Sequence, residues 1–125
     1  MNVFRASMIL SAGLLLISST HAFAAMDSIA VDDEAGRKAG DVGFGVGEGP
    51  DAEAAKKEAL KNCKSFGNTA CEVAVTYEKC GAYAASKEHS GTGTGASEEE
   101  AKKTALSQCG EDKCKVVVSD CVGKS

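Results

Sequence analysis

A helix written twice constrains this chain more than any other feature. The stretch "AEAAKKEALKNC" ends at Cys63, and "EEEAKKTALSQC" ends at Cys109, 46 residues later. The same offset carries Gly45, Gly47 and Gly49 onto Gly91, Gly93 and Gly95. After the helices, "CEVAVTYEKC" is answered by "CKVVVSDC", and upstream "SIAV" is answered by "AYAA". Identity at this many positions in register marks an internal duplication, so whatever one copy builds the other builds again.

Each copy reads as the same series of elements. Ala55, Ala59, Leu60 and Cys63 recur at helical spacing on one face, with Glu53–Lys57 and Glu99–Lys103 expected as i,i+4 pairs on the other. Ser97 and Glu100 form a capping box, and Asp51 after Pro50 is the matching N-cap in the first copy. The segments from Cys71 and Cys114 alternate as strands. Cys71, Val73, Val75 and Tyr77 are expected in one row, and Cys114, Val116 and Val118 in the other copy's row. "VGFGVGEG" and "SGTGTGAS" read as glycine-spaced strands in which a neighbouring backbone can come close. The expected fold is α+β, made of two pseudo-symmetric β-β-α-β repeats at about 28–80 and about 81–121. Together they form one small disulfide-stapled domain over residues 25–125, with the helices packed on a sheet. Leu60, Leu106, Val73, Val75, Val116 and Val118 are the expected core.

The cysteines explain why each helix ends as it does. A chain turning back from helix to strand brings Cys63 near Cys71 and Cys109 near Cys114. Cys71 cannot reach Cys80, because nine residues of strand span roughly 30 Å. Cys80 and Cys121 are then left to each other, and the expectation is that they join the two copies. An even number of cysteines in an exported chain reads as a set of disulfides.

Export follows from the first 24 residues. Arg5 precedes the apolar run "MILSAGLLLISS", and "HAFA" offers a small-residue cleavage site after Ala24, the pattern of a secretory signal peptide. The apolar run falls short of the roughly 20 residues a membrane span needs, so no membrane insertion is expected. Without Arg5, the 14 basic residues become 13 against 18 acidic ones, a net charge of −5. Such a chain repels phosphate backbones, which removes nucleic acid from the expected partners.

A glycine-spaced segment, an "AEAxxxAL…C" helix and a "C-x-V-x-V…C" strand, in tandem after a leader, resemble the bacterial domain-of-unknown-function family 4189. The resemblance covers nearly all of Ser28 to Cys121. It implies export and a compact two-repeat module, and it brings no established catalytic activity. Members of that family usually carry tryptophans in the glycine segments, where this chain reads "GFGVGEG" and "GTGTGAS", so the resemblance does not carry over stacking of a ligand.

Chemistry-bearing residues are few. His89 is the one histidine after the leader, beside Ser90 and Glu88, with no nucleophile, base and oxyanion donor set around it. The cysteine spacings do not suit zinc, and the runs "VDDE" and "SEEE" lack the looped alternation of a calcium site. "GTGTGA" leads into Glu98, Glu99 and Glu100, which favour the helix dipole and repel a phosphate there. No catalytic, cofactor or metal residues are therefore expected. The expected function is non-catalytic binding of another protein by a periplasmic or secreted bacterial chain, as an inhibitor or immunity factor of an envelope-acting enzyme. A stress-related or envelope-structural role without a single tight partner is the second expectation. Contacts are assigned to the loops that differ most between copies, through Asp32, Asp33, Glu34, Arg37, Lys38, Lys87, Glu88 and His89.

Overall fold

The computed structural model describes residues 25–34 and 39–124. The expected signal peptide, and with it Arg37 and Lys38, lies outside the described residues. Along the chain run β1 (Met26–Asp32), β2 (Gly43–Gly49), α1 (Ala52–Ser65) and β3 (Glu72–Tyr77). The same order repeats as β4 (Cys80–Ala85), β5 (Ser90–Gly95), α2 (Glu98–Cys109) and β6 (Lys115–Cys121). Each repeat closes its own antiparallel sheet, ordered β2-β1-β3 in the first and β5-β4-β6 in the second. The fold is therefore α+β with two small sheets, each covered by its own helix.

The helices start where their caps dictate. Asp51 accepts from the Ala54 amide at 2.8 Å, and Ser97 accepts from the Glu100 amide at 3.2 Å. Glu100 completes the second cap by accepting from the Ala96 amide. Gly110, at φ 80, ends α2 in the left-handed conformation that glycine adopts without penalty. The surface ion pairs differ from the expected ones. Lys56 meets Glu53 at i,i+3, and Lys102 meets Glu99 at i,i+3 and Glu98 at i,i+4.

The alternating glycines of β2 and β5 set the depth at which the helices sit. A Cβ on Gly47 would lie 2.1 Å from the Ala59 amide nitrogen, and one on Gly93 would lie 2.2 Å from the Ala101 carbonyl oxygen. Each helix answers with a strip spaced by four, Ala55–Ala59–Cys63 and Ala101–Ala105–Cys109, all buried. Helix and strand meet backbone to backbone, leaving no room for long side chains between them. This overturns part of the expected core. Leu60 lies at the margin of its helix contact, and Leu106 is 37% exposed.

The larger apolar core lies between the two sheets. Ile29, Val31, Val42 and Tyr77 from the first repeat pack on Tyr83, Ala85 and Val118 from the second. The layers are thus helix, sheet, sheet, helix. In β1 and β4 the period of two serves both neighbours: Ala30, Ala82 and Ala84 face the helices, while Ile29 and Tyr83 face the other sheet.

The third strands do not keep a single row. The register slips between Ile29 and Ala30 against β3, and between Tyr83 and Ala84 against β6. A bulge inserts one residue and so inverts the alternation on either side of it. Val73 pairs with Ala30 on the helix side, whereas Val75 pairs with Ile29 on the sheet side. Val116 and Val118 divide in the same way against Ala84 and Tyr83. The expected rows are therefore corrected: cysteine and first valine go to the helix, and the second valine goes to the central core.

All three expected disulfides are present, Cys63–Cys71, Cys109–Cys114 and Cys80–Cys121. The place of the last one differs from expectation. Cys80 opens β4 and sits directly opposite Cys121 of β6, with Cα atoms 4.0 Å apart. It braces the second sheet rather than joining the copies, and it moves the start of the second repeat to Cys80. Three bridges suit an oxidising compartment. No helix among the described residues is long and apolar enough to cross a membrane.

Candidate functional site

Two variable loops come together at one end of the molecule. Both central strands finish there in a buried polar residue, Asp32 in β1 and Ser86 just after β4. Asp32 accepts from the Glu34 amide at 3.1 Å, and from the Thr69 and Ala70 amides at 3.1 and 3.0 Å. It is 2% exposed, so it anchors the loop from beneath and is not the contact residue expected of it. Ser86 has the matching role. Its hydroxyl oxygen accepts from the Glu88 and His89 amides, and its own amide donates to the His89 carbonyl at 2.8 Å.

The remaining expected residues among those described are exposed: Asp33, Glu34, Lys87, Glu88 and His89. A small cleft of about 90 Å³ joins Asp33 to Tyr83, Glu88, His89 and Ser90. Burial raises the Tyr83 phenol above its usual range, with a contribution from the Asp33 charge. Beside it lies a wider cavity of about 350 Å³, lined by Ala39, Gly40, Ser86, Lys87, Glu88, Glu111, Lys113 and Lys115. The loops from the two repeats therefore form one surface, although 53 residues separate Asp33 from Ser86.

Sequence reasoning missed what the loop between α2 and β6 adds. The Cys109–Cys114 bridge encloses Glu111, whose carbonyl accepts from the Cys114 amide at 3.1 Å. The Glu111 carboxylate lies 3.7 Å from His89 Nε2. Ligand atoms of Glu88, His89 and Glu111 lie within 4.8 Å of one another, the one grouping among the described residues able to offer three donors to a metal ion. Also missed was Phe66, which caps α1 with 76% exposure and lines a further cleft with Val42 and Phe44. The available signal was an aromatic residue outside the helix's buried strip in a chain with only four phenylalanines.

The opposite end holds a buried acidic cluster. Tyr77 Oη donates to Asp120 Oδ2 at 2.8 Å, and the Tyr77 ring lies over Gly81, where a Cβ would come within 2.2 Å of it. Asp27, paired with Tyr77 across β1 and β3, is 4% exposed, and its Oδ1 has no donor among the described residues. Burial, then the hydrogen bond and charge of Asp120, then the charge of Glu48, raise the Asp27 carboxyl from 3.8 to about 7. A carboxyl held protonated in this way can donate a hydrogen bond, which an ionised one cannot. Near Asp120, Lys124 and Ser119 both bond to Glu98 and hold its carboxyl down at about 2.

A duplicated, disulfide-stapled α+β module with a loop-built surface at one end is the class these features define. Residues 27–121 match the family described as Domain of unknown function (DUF4189), and the chain belongs to that family. No curated protein and no solved structure matches it.

Proposed function

We propose that this is a non-catalytic protein, exported to the periplasm or beyond the cell, that binds another protein through its loop end. The observation that carries the reading is the convergence of Asp33 with Glu88, His89 and Ser90, from the loops that differ most between the copies, on one surface. These loops differ markedly between the copies, and variable loops on a stapled scaffold commonly carry specificity. The exposed Phe44 and Phe66 share a cleft near the end of β1 that carries Asp32. Exposed aromatic side chains of this kind supply much of the energy of protein interfaces.

Enzymatic chemistry has less support. His89 points to Glu111 rather than to Ser90, and no free thiol is present among the described residues. Asp27 and Tyr77 are buried, at 4% and 3% exposure, and Tyr77 is engaged by Asp120. An acidic chain with a pinned surface suits an inhibitor or immunity factor for an envelope-acting enzyme with a cationic cleft.

The test is affinity capture from envelope and secreted fractions by the oxidised chain of residues 25–125, followed by hydrogen-exchange mapping of the captured complex. A stoichiometric enzyme that loses activity on binding and protects Asp33, Phe66 and 86–90 supports the reading. No enrichment over a reduced, unfolded control, or protection confined to the opposite end, removes it and leaves an envelope-structural or stress-related role.

A further inference from the structure

We propose that Glu88, His89 and Glu111 form a surface site for one divalent transition ion of the zinc type. This does not rest on the partner reading above. The three donors come from two separate loops, each pinned independently. Ser86 holds the amides of Glu88 and His89, and the Cys109–Cys114 bridge closes the loop that carries Glu111. His89 is the only imidazole of residues 25–125, and it faces a carboxylate from the other loop at 3.7 Å.

The donor set selects the ion. One imidazole nitrogen with two carboxylate oxygens suits zinc and its neighbours, whereas calcium and magnesium favour oxygen-only shells. Ligand bonds of about 2.0–2.2 Å place tetrahedral donors roughly 3.5 Å apart. The present spread of up to 4.8 Å closes by rotation of side chains, since Glu88 and His89 are both exposed. A fourth position stays open to water beside the 350 Å³ cavity that Glu88 and Glu111 also line. Lys113 and Lys115 on the cavity wall oppose the added charge, so the affinity expected is micromolar rather than nanomolar.

The experiment is calorimetric titration of Zn²⁺ into the tag-free, chelator-treated, oxidised chain, with Ca²⁺ and Mg²⁺ titrated in parallel. One Zn²⁺ per chain is expected, with Ca²⁺ and Mg²⁺ at least about tenfold weaker. His89→Ala and Glu111→Gln should each weaken binding by about tenfold or more, since even outer partners of a metal site cost that much. Both variants should keep the wild-type circular dichroism and thermal midpoint, because neither side chain belongs to the core. In spectra of the wild type, Zn²⁺ should move the His89 ring signals and the amides of 86–90 and 110–114. Absence of Zn²⁺ binding overturns the proposal, as does binding undiminished in either variant or matched by Ca²⁺.

Discussion

Replacing Asp27 with asparagine should make the protein more stable above neutral pH and remove a pH dependence that the wild type shows. In the folded chain the carboxyl titrates at about 7, against an ordinary value of 3.8. Between those two values the folded protein holds a proton that the unfolded chain has released, so stability falls as pH rises through this window. Just over three pH units, at 1.36 kcal/mol each, set a ceiling of roughly 4 kcal/mol on the loss. Some rearrangement around Asp120, Glu48 and Tyr77, the groups that face Asp27, brings the expected loss to about 2–3 kcal/mol. Asparagine keeps a donor toward Asp120 and carries no charge to desolvate. The assay is urea unfolding of the disulfide-intact chain, followed by the fluorescence of Tyr77 and Tyr83, both buried. Wild-type midpoints should fall from about pH 5 to about pH 8, while those of Asp27→Asn stay level, with equal slopes in urea. Parallel pH profiles for the two proteins, or a variant less stable than wild type at about pH 8, would refute the reasoning.

Gly47→Ala should cost about 3 kcal/mol or more, because the new methyl meets helix backbone and not a side chain that can move. Gly40→Ala, with nothing within 4 Å, should stay within about 0.5 kcal/mol of wild type in the same unfolding assay. Ile29→Ala should cost about 3 kcal/mol and Leu106→Ala about 1 kcal/mol or less, a difference readable in thermal midpoints, since one side chain is fully buried and the other 37% exposed. Glu98, held low by Lys124 and Ser119, contributes stability that is present above 4.5 and is lost as pH falls through about 2. Glu98→Gln should therefore flatten the acid limb of the stability curve, and an unchanged limb would remove that assignment.

What could be read from the sequence was local or covalent. The helices, their caps and the three cysteine pairs all depend on residues close in the chain or on a repeat that can be aligned. The core could not be read in the same way. Leucine is ordinarily the residue that anchors a helix, yet here glycine against alanine draws the backbones so close that Leu60 and Leu106 are displaced to the flanks. The bulges were equally hidden, because nothing at Ala74 or Val117 announces an extra residue, and the valine rows divide there. At the loop end, Asp33 and His89 could be singled out by their divergence between copies. Glu111 could not, since its place beside His89 depends on how two elements pack. The Asp27–Asp120 contact spans almost the whole folded chain, and no spacing rule reaches that far.

The bridges all lie within repeats, so only the short passage through Glu78 and Lys79 ties one half covalently to the other. A lone half would leave Ile29, Val31 and Val75, or their counterparts, open to water and would need a second copy to cover them. The molecule is in effect a two-fold dimer drawn as a single chain. Joining the subunits frees the positions near the axis from having to be identical. Here that freedom sets Tyr77 over Gly81 and Asp27 against Asp120. Two identical subunits would have to place the same residue pair on both sides of the axis. Fusion thus gives this interface an asymmetry that a symmetric pair could not encode.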